Sequence, residues 1–209
     1  MSAAVHPASR GDGFVDWFEA RARSHGFSLD AAQRRALTHF SRVEAGLQTA
    51  ARPPSRSLLR WFQSRPSAPV RGLYLWGGVG RGKSFLMDGF FEVSAVERKR
   101  RAHFHRFMQE IHADLRRLQG TEEPMREVAA RVASEARLLC LDEFQVTDIG
   151  DAMLMRKLLE GLVEEGVTLV TTSNTRPDQL YLHGLQRSQF LPAIAILEAH
   201  LEVAHMDDG

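Results

Sequence analysis

The run Leu73-Tyr-Leu-Trp-Gly-Gly-Val-Gly-Arg-Gly-Lys-Ser84 constrains this chain more than any other. A short apolar stretch that reads as a buried strand ends at Trp76, and Gly77, Gly82, Lys83 and Ser84 then keep the phosphate-loop spacing of Gly, four residues, Gly, Lys and Ser or Thr. Glycines let the backbone curl with its N–H groups turned inward, and a helix beginning near Lys83 adds the positive end of its dipole. Phosphate oxygens would then meet donors along Gly77, Gly78, Val79, Gly80, Arg81 and Gly82. Lys83 would reach the β- and γ-phosphates, and the Ser84 hydroxyl would ligate Mg²⁺. A glycine-rich turn with a stray Lys-Ser is the competing reading; the strand before and the helix after favour a nucleoside triphosphate site.

A second acidic element completes the pattern. Leu138 to Leu141 is a short apolar strand ending in Asp142-Glu143, a Walker B arrangement in which the first carboxylate emerges near Mg²⁺ and the second is the candidate base for an attacking water. The bland alternative has Asp142 capping a turn. Val167 to Thr171 forms a further β-branched strand and delivers Thr172-Ser173-Asn174 at its end. Asn174 is a candidate to hold the water or the γ-phosphate, against the alternative of a turn-forming Asn before Thr175-Arg176-Pro177.

Composition narrows the classes. The 209 residues suffice for one sizeable α/β core, and a formal charge of +1 from 27 basic and 26 acidic side chains gives no whole-chain signature of a nucleic-acid binder. Residues 1–70 hold ten Arg against five acidic side chains. Such scattered arginines read either as a solvated face or as a surface for an acidic partner. The single Cys140 lies inside an apolar run, permits no disulfide within one chain and suits a reducing compartment. No apolar run has membrane-spanning length, and Met1 to Gly13 lacks a hydrophobic signal core, so a cytoplasmic location is expected. His103 and His105 share one side of an expected strand, but no Cys or carboxylate follows at matching spacing; they read as sheet or surface histidines.

Along the chain, Phe14, Trp17, Phe18 and Ala22 recur at helical spacing, and Asp30 is placed to cap a helix carrying Leu37, Phe40, Val43 and Leu47. Arg52-Pro53-Pro54-Ser55 interrupts this region, Leu58, Leu59, Trp61 and Phe62 make a short apolar stripe, and Pro66-Ser67-Ala68-Pro69 reads as a linker. The division expected is a helical N-terminal appendage over 1–69 and a nucleotide-binding core over 70–209. Within the core, strands and helices alternate, which predicts a parallel sheet flanked by helices. Strands are expected at 72–76, 102–107, 138–141, 167–171 and 201–206. Glu97 to Arg101 reads as a charged turn, a helical stripe runs from Phe107 to Leu118, Arg126 to Ala136 is a further helix, and Asp148 or Asp151 caps the next one.

With both Walker elements, a polar sensor and a later Arg along five strands, the core resembles an AAA+ P-loop ATPase. Gly72 to Ser84, His103-Phe-His-Arg-Phe-Met108, Leu141-Asp-Glu-Phe-Gln-Val-Thr-Asp148 and Gly184-Leu-Gln-Arg-Ser-Gln-Phe-Leu-Pro-Ala-Ile194 closely resemble the bacterial cell division ZapE family and its mitochondrial AFG-type relatives. The resemblance runs from about Asp30 to the C-terminus. It implies an Mg²⁺-dependent ATPase, homo-oligomeric when complete, acting on a protein partner associated with the division ring and its tubulin-like polymer. It also implies Arg187 as an arginine finger toward a neighbouring subunit's γ-phosphate, with Arg176 the competing candidate. In that family a C-terminal lid with a second sensor Arg follows the fifth strand. The sequence stops at Asp207-Asp208-Gly209, so the core is expected to lack the lid and to be impaired in affinity, assembly or turnover. Phe104 and Phe107 read either as core or as a loop gripping the partner. Two other readings stand beside this one: a helicase-loader-like ATPase whose Arg98 to Arg101 run and basic N-terminal portion follow nucleic-acid phosphates, and a nucleotide-binding fragment with little turnover.

Overall fold

Alternation along the strands sorts the apolar residues between two cores. In β1 (Gly72–Trp76) Leu73 and Leu75 face one side while Tyr74 faces the other, and in β3 (Leu138–Asp142) Leu138 and Cys140 oppose Leu139 and Leu141. The structure, a computed structural model, describes residues 11–51 and 69–206. The expected Leu58-to-Phe62 stripe, the breaks at Arg52 to Ser55 and Pro66 to Ala68, and the terminal Asp207 to Gly209 lie outside the described residues.

The first core belongs to α1 (Gly11–Ser24), α2 (Ala31–Ala51) and α3 (Lys83–Val93). Phe18, Phe40, Leu86 and Phe90 join Leu73, Leu75 and Val170 there. The second lies under α4 (Phe104–Arg117), α5 (Pro124–Glu135), α6 (Ile149–Glu164) and α7 (Arg187–His200). Between them runs a parallel sheet in the order β2-β3-β4-β1-β5, with β2 at Lys99–His103, β4 at Thr168–Ser173 and β5 at Leu201–His205. The five-stranded parallel sheet flanked by helices is the architecture expected from the sequence. Cys140 is fully buried in the α1–α3 core, where desolvation pushes its thiol up from the ordinary range.

One stretch departs from expectation. The strand expected at 102–107 ends at His103, and Lys99 to Arg101 of the expected charged turn belong to strand β2. As an edge strand β2 tolerates charge. Lys99 Nζ donates to the Phe91 and Ser94 carbonyls at 2.7 Å each, Arg100 pairs with Glu110 and Glu135, and Arg101 pairs with Asp88 and Asp142. Phe104, Phe107, Met108 and Ile111 then form the buried stripe of α4, so both phenylalanines are core residues. His105 consequently lies in the first helical turn, bonded to Gln109, and shares no strand face with His103.

Caps set the helix starts. Asp30 accepts the Gln33 N–H at 2.7 Å. Of the two candidates for α6, Asp148 is the N-cap and accepts the Asp151 N–H at 3.0 Å. That backbone hydrogen bond holds the Asp148 carboxyl below the usual aspartate range. A carboxyl that titrates lower folded than unfolded contributes fully above its unfolded value, and the contribution is lost as pH falls through the folded one. Asp148→Ala should therefore destabilise the protein by about 1 kcal/mol at neutral pH. In urea titrations at descending pH, mutant and parent should converge below the ordinary aspartate range; an undiminished deficit in acid would refute the assignment.

Candidate functional site

Three strand ends and one helix start converge at the C-terminal edge of the sheet. The phosphate loop leaves β1 at Gly77, whose N–H donates to the Ser173 carbonyl at 3.2 Å and whose missing Cβ would lie 2.4 Å from the Met206 carbonyl oxygen. No larger residue fits there. Gly80 and Gly82 both have left-handed φ, 79° and 87°, and Gly82 is the N-cap of α3. The loop and α3 frame a cleft of about 330 Å³ lined by Val79, Gly80, Arg81, Gly82, Lys83 and Ser84 together with Glu143, Thr172, Ser173 and Asn174.

Lys83 is 8% exposed, and its ammonium donates to the Gly77 carbonyl at 2.8 Å and the Gly78 carbonyl at 2.6 Å. Burial lowers its pKa, Arg81 adds to that, and Glu143 opposes it. Gly77 and Gly78 thus sit behind the cleft as acceptors, while the other six expected loop residues line it.

Glu143 follows the last residue of β3 with φ 55°, a left-handed conformation that costs a non-glycine residue about 1–2 kcal/mol. Its neighbours hold it there. The Phe144 N–H donates to the Thr172 carbonyl at 2.7 Å, the Ser173 hydroxyl donates to the Phe144 carbonyl at 2.7 Å, and the Glu143 N–H donates to Thr172 Oγ1 at 3.3 Å. The turn swings the Glu143 side chain, 72% exposed, out to the cleft, with His103 Nδ1 3.8 Å from its carboxylate. Asn174 follows β4 directly in a turn fixed by Tyr74, whose hydroxyl donates to the Thr175 carbonyl at 2.9 Å.

Asp142 is 3% exposed and does not line the cleft. Arg101 Nε donates to its Oδ2 at 2.6 Å and the Thr172 hydroxyl to its Oδ1 at 3.3 Å, while the other arm of Arg101 holds Asp88 on α3. The Ser84 hydroxyl and the Asp142 carboxylate are hard oxygen donors. Ser84 lines the cleft and suits Mg²⁺, which binds through one or two protein groups and takes its other ligands from phosphate and water, whereas Asp142 would have to release Arg101 or Thr172 to reach such an ion.

Neither expected finger lines the cleft. Arg187, at the start of α7, donates to the Asp178 carbonyl at 2.6 Å; Arg176 lies 5.8 Å from the Trp76 ring centroid and pairs with Asp178 at 3.1 Å. The residues that sequence reasoning missed are Thr172 and Ser173, which bond the site from β4, and Arg101. Their signal was a run of hydroxyls ending a buried strand and a basic residue level with the Walker B strand. A larger cleft, lined among others by Leu47, Ala95, Arg98, Ala133 and Arg137, lies at the opposite ends of the strands and shares no residue with the phosphate loop.

A buried carboxylate that loses its cation is strongly destabilising. Arg101→Met should cost about 3 kcal/mol in chemical denaturation. Adding Asp142→Asn to that variant should recover part of the loss, and additive losses would contradict the pairing.

Residues 15–209 match the family model for AFG1-like ATPases. Cell division protein ZapE of Escherichia coli K12 is 53% identical over 141 residues, covering 68% of this chain and 38% of that protein. Lactation elevated protein 1 homolog B of Danio rerio is 40% identical over 158 residues, covering 70% and 31%. The matched stretches thus span 38% and 31% of the length of these two curated relatives. In fold it is similar to DnaI (TM-score 0.59, 16% identity, covering 91% of this chain and 93% of that one) and to AMPPCP-bound DnaA from Aquifex aeolicus (TM-score 0.54, 15% identity, covering 87% and 48%). Among the described residues no helix is long and apolar enough to cross a membrane. With the phosphate loop, the acidic strand end and nearly the whole chain inside one family model, the chain belongs to the AFG1-like ATPase family.

Proposed function

We propose that this chain binds ATP with Mg²⁺ in the phosphate-loop cleft and hydrolyses it to ADP and phosphate, as part of an oligomeric ATPase that acts on a protein partner in cell division. One observation carries the reading: Lys83, Ser84, Glu143 and Asn174 line a single cleft although they come from three separate stretches of the chain.

The roles follow from the chemistry of each group. Loop N–H groups and the α3 dipole receive phosphate oxygens. Lys83 exchanges its bonds to the Gly77 and Gly78 carbonyls for the β- and γ-phosphates. Ser84 would hold Mg²⁺, with Asp142 joining it on exchanging its bond to Arg101 or Thr172, and the ion would neutralise phosphate charge. Glu143 accepts the proton of the water that attacks the γ-phosphorus, and Asn174 orients that water or the γ-phosphate. Arg187, which does not line its own cleft, acts on that of a second copy. The cell-division context comes from the name of the bacterial relative, and the tubulin-like division-ring polymer is the candidate that the resemblance implies.

The nucleic-acid alternative loses its main support in the basic run. Arg98 donates to the Ala133 and Ser134 carbonyls, Lys99 to those of Phe91 and Ser94, and Arg100 and Arg101 to carboxylates. These cations are engaged internally, unlike a track laid out for phosphates. The likeness to DnaI and DnaA is one of fold alone.

ATP hydrolysis measured per subunit over a wide range of protein concentration tests the reading. The rate should rise with concentration, fall at least about a hundredfold in Glu143→Gln with nucleotide still bound, and fall about a thousandfold in Arg187→Ala. A rate independent of concentration and indifferent to Arg187 would remove the role in trans. ATP binding without repeated turnover would leave a nucleotide-binding unit in place of an ATPase.

A further inference from the structure

The N-terminal helices reach the phosphate loop through one side chain. Gln33 stands in the first turn of α2 and forms a reciprocal pair with Asp30. The Gln33 N–H donates to Asp30 Oδ1 at 2.7 Å, and the Asp30 N–H donates to Gln33 Oε1 at 3.0 Å. With Oε1 engaged as an acceptor, the amide has one orientation. Its other end, Nε2, donates to the Arg81 carbonyl at 3.2 Å, 48 residues away in sequence. A Cβ added at Gly82 would lie 2.7 Å from that same nitrogen, so the side chain rests against two successive loop residues.

We propose that Gln33 is a positioning residue for the phosphate loop, orienting the Arg81–Gly82 peptide from outside the cleft. The inference rests on the nucleotide reading above. A peptide is planar and trans, so its C=O and N–H point in opposite directions. Holding the Arg81 carbonyl toward α2 turns the Gly82 N–H away from α2. Gly82, at φ 87°, has no side chain to restrict its own backbone, so a restraint must come from a neighbour. Gln33 supplies it from α2, whose Phe40 ring packs on Phe90 of α3 with centroids 5.0 Å apart. A Cβ on Gly89 of α3 would lie 2.3 Å from the Phe18 ring, so α1 is seated directly on α3, and the Phe27 ring packs edge-on against Phe85 in the first turn of α3 with centroids 4.9 Å apart.

Two substitutions in the full chain separate this role from helix capping. Gln33→Glu keeps an acceptor for the Asp30 N–H and so keeps the cap, but sets an oxygen against the Arg81 carbonyl. Gln33→Met removes both bonds without adding charge. Both variants should bind a fluorescent ATP analogue about tenfold more weakly than the parent. Hydrogen exchange over residues 79–84, read without nucleotide, should speed up in both, while the Glu variant, its cap intact, loses less unfolding temperature than the Met variant. Parental binding and parental loop exchange in both variants would reduce Gln33 to a cap and overturn the proposal. So would weakening confined to the Glu variant, which would trace to charge. Lys83→Ala is the control for the nucleotide reading itself. If it binds the analogue as the parent does, that reading fails, and loop exchange alone then decides whether Gln33 positions the loop.

Discussion

Strands β1, β3 and β4 have no wet face, because α1 to α3 cover one side of the sheet and α4 to α7 the other. A polar atom can enter such a sheet only where a partner waits for it, and the strand ends are where partners can be gathered. The Thr171 hydroxyl donates to the Leu141 carbonyl at 2.9 Å, Thr172 to Asp142, and Ser173 to Phe144. These bonds tie the end of β4 to the end of β3. The cleft is the outer surface of that knot.

The charges beneath the cleft obey the same constraint. Asp142 cannot remain an isolated carboxylate at 3% exposure, and Arg101 reaches it from the edge strand while also holding Asp88 on the helix that begins at the phosphate loop. One guanidinium therefore joins β2, β3 and α3. Lys83 meets burial differently, by donating to two carbonyls of its own loop. Arginine suits the first task because its planar fork can serve two carboxylates, and lysine suits the second because its compact ammonium can change partners.

Much of this was legible in the sequence because the phosphate loop dictates what flanks it. A strand must end at Trp76 and a helix must begin at Lys83, and from there the alternation of apolar runs leads to β3, β4 and β5. The stretch from Ala102 to Phe107 departs from expectation because Ala102-His-Phe-His105 alternates like a strand; Phe107, three residues beyond Phe104, already breaks that period, and with Met108 and Ile111 it keeps helical spacing from Phe104. Other features leave no local trace. The left-handed backbone at Glu143 occurs at a residue type that rarely adopts it. The Arg101–Asp142 pair depends on the register that sets Arg101 beside Cys140, and the reach of Gln33 to Arg81 depends on how α2 docks.

The turn at Glu143 separates chemistry from shape at one position. Its φ is imposed by hydrogen bonds to Thr172 from the backbone of residues 143 and 144, with no help from the glutamate side chain. A lineage that exchanges Glu143 for Gln or Asp inherits the same bend with a different proton chemistry. One that drifts to Val or Ile meets a steric barrier first, since a β-branched residue is poorly accommodated in left-handed backbone. Reactivity at this site is thus open to gradual change along one axis and closed along the other.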